Sequence, residues 1–302
     1  MIKILSSRGP YDLRAVVFSH GWADLTPFCV LAEDGTTEVA VRTKKTVATL
    51  RISPAADGLR IEADDISDEV IQAIRWIFRL DDDLTEFYTH TAGNDRPWIG
   101  ERKMGRLLRS QTVFEDLIKL ILTTNCSWAF TRLMIDQLMK ELGDSAPDGS
   151  RAFPTPAALA GKTEKFFRTK IRAGYRSPHL RTIGRAIVNG NLDPEKWRDP
   201  SLPTENLRKE ILSVPGAGPY VADNLLKFLG RYEYLGLDSW ARGTLKRQWG
   251  MKKIPSDKTI ARRYKPHGSY QGLVLWCDLT RDWLESEDFS SWIRTPAQTG
   301  AS

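Results

Sequence analysis

The chain has 302 residues, enough for one or two domains with a sizeable core, and its composition is globular, with 41% apolar and 27% charged residues and ten tryptophans. Its formal net charge of +6 suits a polyanionic partner without identifying one. It has no apolar run of membrane-spanning length and no secretory signal, and Cys29, Cys126 and Cys277 fit neither a disulfide framework nor a zinc site, so we expect a cytoplasmic protein.

The first 66 residues predict a small antiparallel β domain. Segments 11–19, 28–34 and 37–43 are rich in β-branched and aromatic residues, which is typical of strands. Asp34-Gly35 and Asp57-Gly58 predict hairpin turns.

From Ser67 the apolar period becomes helical, and we expect an all-helical body over residues 67–289 followed by a flexible tail, 290–302. Thr112 and Glu115 form a capping box that opens a helix running through Leu122, and another helix stops at Gly143. The whole predicts an α+β fold. Further helices are predicted near 155–160, 164–172, 177–189, 204–213, 219–229, 239–249 and 268–285.

Charge is distributed unevenly along the chain. Residues 57–86 contain ten acidic residues and three arginines, whereas 162–185 contain eight basic residues and one acid, and 242–265 contain nine basic residues and one acid. Such basic runs suit nucleic acid, but an ordinary solvated face explains them equally well.

The segment Leu212–Ala222 predicts two helices joined by a tight turn. Gly216 and Gly218 permit positive φ and close approach of another backbone, and Pro219 suits the first position of the second helix. The free amides of that helix start would bind a phosphate without reading base sequence. Taken alone, the segment also fits a simple helix-turn-helix corner.

Twenty residues after Gly218 comes Asp238, within Leu-Gly-Leu-Asp-Ser-Trp. This hairpin and spacing resemble the helix-hairpin-helix DNA glycosylase superfamily. Segments 80–88, 105–109, 173–176 and 271–276 resemble parts of its 8-oxoguanine DNA glycosylase branch, so the similarity spans roughly residues 10–285.

The resemblance implies that Asp238 is the catalytic carboxylate. Breaking the bond between base and sugar gives the sugar oxocarbenium character, which a nearby carboxylate stabilises while orienting the attacking water. The alternative is that Asp238 only caps the helix starting at Ser239.

Relatives that also cleave the strand carry a lysine where this chain has Tyr220. Tyrosine cannot form an imine, which predicts a monofunctional enzyme, as in the branch of 3-methyladenine DNA glycosylase II. Lys227 is expected to make a backbone or solvent contact, and both Lys227 and Lys246 to be protonated and solvated. The chain also lacks the four-cysteine cluster of the endonuclease III and adenine glycosylase branches.

The resemblance also assigns residues that open the duplex. Asn125 would fill the space left by the flipped base, although from the sequence alone an ordinary polar residue between two helices fits it equally well. Tyr175 would wedge beside the opposite base, and Arg176 would hydrogen-bond that base. Trp276 would stack on the flipped base, although an aromatic residue on an apolar helix is usually core. Arg242, in the helix after Asp238, is a further candidate for DNA contact.

Several positions depart from the 8-oxoguanine branch. The segment Ser19–Trp22 is too altered to supply its base-reading carbonyl, Phe130 stands where the branch has an arginine, and Trp240 replaces a histidine. Gly272 replaces a base-reading glutamine and would leave volume in the pocket. We therefore expect a base other than 8-oxoguanine, such as an alkylated purine or a glycosylated cytosine of phage DNA.

The sequence thus predicts a monomeric, monofunctional DNA glycosylase acting on duplex DNA in repair or in phage defence. Its predicted base pocket contains Tyr220, Trp240, Trp276 and Gly272. No organic cofactor or metal is expected, and the one ion allowed is a monovalent cation held by hairpin carbonyls. The alternatives are a catalytically silent DNA-binding protein and a bifunctional enzyme that uses another lysine.

Overall fold

The computed structural model describes residues 1–285 and 289–293, without the side chains of 284 and 285. It contains a five-stranded antiparallel sheet and many helices, which confirms the α+β class. The strands are β1 Ile2–Ser6, β2 Phe28–Val30, β3 Thr37–Arg42, β4 Val47–Ala55 and β5 Gly58–Glu62. The helices are α1 Leu13–Val17, α2 Asp68–Ile77, α3 Thr85–Ala92, α4 Pro97–Glu101, α5 Val113–Thr123, α6 Trp128–Leu142, α7 Pro156–Ala160, α8 Glu164–Thr169, α9 Ser177–Val188, α10 Thr204–Ser213, α11 Pro219–Phe228, α12 Ser239–Gln248, α13 Asp257–Tyr264 and α14 Gln271–Glu285.

The sheet has the strand order β1-β5-β4-β3-β2. Both predicted hairpin turns are confirmed. Between β2 and β3, the Thr36 N–H donates to Asp34 Oδ1 at 2.8 Å, and Gly35 has φ +88°. Between β4 and β5, a Cβ on Gly58 would lie 2.1 Å from the Leu5 carbonyl oxygen, so the neighbouring strand requires a glycine there.

The strand predicted over residues 11–19 is wrong, because this segment forms the short helix α1. The Asp12 side chain accepts from the Ala15 N–H at 3.3 Å and caps the helix. Leu13, Val16 and Val17 are all buried, and a continuously apolar run does not distinguish a buried helix from a buried strand.

The described residues from Asp68 to Glu285 form mainly helices, and the predicted signals for helix starts are confirmed. Ser67 caps α2 and Thr112 caps α5 through side-chain oxygens that accept N–H groups. The longest helices, α6 and α14, have 15 residues, and none among the described residues is long and apolar enough to cross a membrane. The short polar helix α13 was not predicted.

One hydrophobic cluster runs through the sheet and the helices. Residues 289–293 belong to this packing: Phe289 stacks on Phe18 with 3.9 Å between ring centroids, and Ile293 forms a bridge with Val30. The first residues of the predicted tail are therefore ordered against the β-sheet, and 294–302 lie outside the described residues. The division at residue 66 stays a prediction.

Candidate active site

The hairpin is built by α10, a five-residue turn and α11. Gly216 has φ +88°, and a Cβ there would lie 2.9 Å from the His179 ring, so no other residue fits without strain. Gly218 precedes α11, and no atom lies within 4 Å of a Cβ added to it. The turn thus leaves open space at Gly218, the residue that precedes the free amides of the α11 N-terminus.

A cavity of about 390 Å³ opens beside the first turns of α11. Its walls are mainly aromatic, and six of the ten tryptophans of the chain lie in them. The ring N–H groups of Trp22, Trp128 and Trp276 donate to Asp116, Asp24 and the Ser19 carbonyl, respectively. The lining residues include His20, Trp22, Thr123, Trp128, Tyr220, Asn224, Lys227, Phe228, Asp238, Trp240, Trp276, Trp283 and Trp292.

Asp238 both caps a helix and faces the cavity. Its Oδ1 accepts the Ala241 N–H at 2.7 Å, which opens α12. Among the described residues, no protein group donates to its other carboxylate oxygen. The two roles considered for Asp238 are therefore compatible, and the cap fixes the orientation of the carboxylate.

Tyr220 lies in the first turn of α11, two residues beyond Gly218, and lines the cavity. The Thr123 hydroxyl donates to its phenol oxygen at 3.5 Å. Burial, reinforced by the charge of Asp238, raises the pKa of Tyr220 to about 12. The phenol is therefore neutral at physiological pH.

Trp240 and Trp276 lie together in the cavity wall, with 5.9 Å between their ring centroids. Trp283 packs against both of them. Trp276 is fixed by its bond to Ser19, whereas Trp240 remains 38% exposed at the mouth. Their stacking on a flipped base stays a prediction.

Gly272 does not line the cavity, and the expected extra volume beside it is absent. A Cβ there would lie 2.2 Å from the Tyr234 carbonyl oxygen and 2.8 Å from that of Tyr232. The Gly272 N–H donates to Tyr232 at 2.7 Å. The glycine is needed for this close backbone approach, so the prediction that it enlarges the pocket is wrong.

The segment that departs most from the 8-oxoguanine branch, Ser19–Trp22, forms part of the cavity wall. Burial lowers the pKa of His20 to about 3, and the ring contacts the Leu108 carbonyl at 2.7 Å, so it is neutral. A Cβ on Gly21 would lie 2.5 Å from the Trp128 ring. The sequence did not predict that Ser19–Trp22 lines the cavity, and the signal that could have indicated it is the high tryptophan content of the chain.

The structure corrects the expectation that Lys227, with a backbone or solvent contact, is solvated. It is 2% exposed and lies in the cavity wall. Its Nζ donates to the Leu235 carbonyl at 2.6 Å and to Asn224 Oδ1 at 3.0 Å. Burial lowers the pKa of Lys227 to about 8.

The predicted DNA-opening residues form a cluster at the loop after α5. Asn125, with φ +47°, donates to the Tyr175 hydroxyl at 3.2 Å, and Tyr175 is 52% exposed. Arg176 is buried, and its guanidinium donates to the Thr124 carbonyl and hydroxyl. The role predicted for Arg176 at the opposite base is thus not supported, because its donors stabilise the loop that presents Asn125.

Arg242 follows Asp238 by four residues and forms a bidentate ion pair with Asp257, with N–O distances of 2.7 and 2.9 Å. Its charge is therefore largely neutralised within the protein. Contact with DNA stays a prediction for this residue, and the pair ties α12 to α13.

Known structures of similar fold place this geometry in context. The 3-methyladenine DNA glycosylase from Archaeoglobus fulgidus matches with a TM-score of 0.72 at 18% identity, over 96% of this chain and 99% of that one. The 8-oxoguanine glycosylase/lyase from Clostridium acetobutylicum, in a complex with duplex DNA, matches with a TM-score of 0.68 at 20% identity, over 89% and 93%. This chain has the helix-hairpin-helix glycosylase fold. At these identities the likeness establishes the fold.

Sequence relatives of this glycosylase-fold chain are distant. A Bacillus subtilis protein provisionally named DNA-3-methyladenine glycosylase YfjP is 22% identical over 214 residues, which cover 69% of this chain and 74% of the relative. The DNA-3-methyladenine glycosylase of the same organism is 25% identical over 164 residues, covering 53% and 54%. No protein-family model matches the chain.

Proposed function

We propose that this protein is a monofunctional DNA glycosylase. It takes a modified base out of duplex DNA into the aromatic cavity and hydrolyses the bond between base and sugar, leaving an abasic site. One observation carries the proposal: Asp238 opens a helix in the wall of the cavity that also receives Tyr220, two residues beyond the hairpin glycine Gly218. A phosphate-binding turn and a carboxylate therefore flank one cavity.

The hairpin supports binding of the DNA backbone. The amides at the α11 N-terminus would donate to a phosphate, and the open space at Gly218 admits it. Asn125 would enter the gap in the base stack, since its loop is exposed and held by Tyr175 and Arg176.

Asp238 supports the chemical step. As the bond from C1′ to the base nitrogen breaks, the electron pair leaves with the base and positive charge develops on the sugar, where the carboxylate stabilises it. Water, oriented and deprotonated by the unbonded carboxylate oxygen, attacks C1′. A neutral departing base takes up the proton that the water gives up, whereas a cationic alkylated purine leaves as a neutral base and that proton passes to solvent.

Tyr220 supports hydrolysis over strand cleavage. Its phenol is neutral and has no nitrogen that could condense with C1′. Water is then the nucleophile, and the product is an intact abasic site. The alternative of a bifunctional enzyme requires an amine that reaches the sugar.

The cavity supports a modified base as substrate. Its volume of about 390 Å³ lies in the range of pockets that hold small organic ligands, which are larger than a nucleobase. By volume alone, an alkylated purine and a glucosylated cytosine of phage DNA both fit the cavity, and they correspond to base-excision repair and to phage defence, respectively.

The test is to incubate the protein with duplexes that carry a panel of modified bases and to identify released bases by mass spectrometry. Alkali cleavage of the product strand then reports abasic sites. A second candidate, a catalytically silent DNA-binding protein, is favoured by the capping bond of Asp238 to Ala241. That candidate predicts DNA binding without any released base.

A further inference from the structure

Three cavity residues follow one another along one face of α11. Tyr220, Asn224 and Lys227 have the spacing i, i+4, i+7. With a rise of 1.5 Å per residue, Lys227 lies about 10 Å further along the helix than Tyr220. Because the hairpin is at the Tyr220 end, Lys227 lies at the end of the cavity away from the DNA backbone.

The contacts of Lys227 leave part of its bonding capacity unused. Two of its three N–H groups donate to Leu235 and Asn224, and the described residues provide no acceptor for the third. The Nζ lies 5.9 Å from the centroid of the Trp276 ring, the predicted stacking partner of the base. A flipped base that reaches Trp276 would therefore meet the ammonium group.

A second buried lysine shows what a purely structural role looks like in this fold. Lys119 is fully buried and forms an ion pair with Glu115 at 2.7 Å. Lys227 instead binds only neutral oxygens. Burial of an ammonium without a paired carboxylate is costly, and such groups mark functional sites more often than a paired lysine does.

We propose that Lys227 determines base specificity by selecting an electrically neutral base that carries a hydrogen-bond acceptor and by disfavouring a cationic N-alkylated purine. This rests on the proposed glycosylase function and names the class of base. A purine alkylated at N3 in DNA carries a formal positive charge. For a base whose charge lies about 6 Å from Nζ, and an effective dielectric constant of about 20, the repulsion corresponds to a loss of roughly a hundredfold in rate or affinity.

The ionisation of Lys227 supports this selection at neutral pH. The charged groups around it are Asp223 on α11, Asp238 across the cavity and Arg79, which donates to the Lys227 carbonyl oxygen. Tyr220 and His20 are uncharged. Because the pKa of Lys227 is lowered to about 8, most of the ammonium persists at pH 7 and is lost as the pH rises above 8.

The experiment measures single-turnover release of 3-methyladenine from a methylated duplex and of three neutral bases, ethenoadenine, 8-oxoguanine and glucosylated 5-hydroxymethylcytosine, with enzyme-free release subtracted. The reference neutral base is the one of these three that the wild type releases fastest. Lys227→Met should raise the ratio of 3-methyladenine release to that neutral release at least about tenfold. Lys246→Met removes a charge outside the cavity and should leave this ratio unchanged.

A second measurement follows the same ratio between pH 6.5 and 9.5 in the wild type and in Lys227→Met. The two proteins share the effect of pH on the leaving base, so the ratio should rise more steeply in the wild type, which alone loses the ammonium as the pH rises above 8. A ratio that Lys227→Met leaves unchanged, or a pH dependence of the ratio that is the same in the wild type and in Lys227→Met, would overturn the assignment while leaving the glycosylase function intact. Release of no base at all contradicts the proposed function itself.

Discussion

The hairpin and the cavity represent two ways of building a functional surface. The hairpin is one continuous segment, Leu212–Ala222, whose shape depends on local backbone preferences at Gly216, Gly218 and Pro219. The cavity combines residues from His20 to Trp292 and depends on tertiary packing. A local turn suits contacts that are the same on every duplex, whereas an assembled cavity can distinguish one base from another. Perturbing the two regions should therefore have separable effects.

The largest effect is expected in the cavity. Asp238→Asn should lower single-turnover base release at least about 100-fold, because electrostatic and general-base assistance are both lost. Asparagine still caps α12, and removing a negative charge should leave DNA affinity equal or higher. Asp12→Asn is the matched control, because Asp12 also caps a helix but lies outside the cavity. A variant that keeps more than a tenth of the wild-type rate would contradict the assignment of Asp238.

Trp276→Ala should reduce release of a modified base by roughly 5- to 150-fold, because stacking of a base on an aromatic ring contributes about 1–3 kcal/mol. Trp276→Phe keeps an aromatic ring, so its rate of base release should lie between those of the wild type and of Trp276→Ala. Binding titrations on unmodified duplex serve as the control. If affinity for unmodified duplex falls equally, the ring supports the fold and does not contact the base.

A smaller, uniform effect is expected from the hairpin. Gly218→Leu should weaken binding several-fold on modified and unmodified duplexes alike and flatten the salt dependence, because a phosphate contact is lost. Gly216→Leu should also lower thermal stability, because residue 216 has a positive φ and its added side chain would collide with His179. Loss of affinity for modified DNA alone would show that the hairpin does not bind the backbone.

The last prediction is that the wild-type protein forms no covalent complex with DNA. Borohydride present during turnover should trap no covalent complex of the wild-type protein with DNA, because Tyr220 supplies no amine. Tyr220→Lys should yield a trapped complex if this position faces the sugar opposite Asp238. A complex trapped with the wild type would establish a bifunctional enzyme, and Lys227→Met would then show whether Lys227 is the amine.

The sequence was sufficient where structure follows from local rules. Both hairpin turns, the caps at Ser67 and Thr112 and the bounds of α10 correspond to short-range signals in the chain. The segment of α1 failed because its apolar run fits either a strand or a helix, and only packing decides between them.

The cavity was only partly predictable, because tertiary packing determines which side chains line it. Tyr220, Asp238 and Trp276 could be located through their resemblance to a motif, but the environment of a side chain depends on distant neighbours. In the sequence Lys227 resembles any solvated lysine, but in the folded protein its Nζ donates to Leu235 and Asn224. Gly272 looks like spare volume, although backbone carbonyls occupy that space.

The position of Trp292 has a consequence for the order of events during biosynthesis. The ring forms part of the cavity wall, and Phe289 beside it stacks on Phe18 in the first part of the chain. A ribosome must therefore have synthesised at least 292 residues before this wall can close, long after the hairpin could have folded. The hairpin can therefore form while the wall of the cavity is still incomplete.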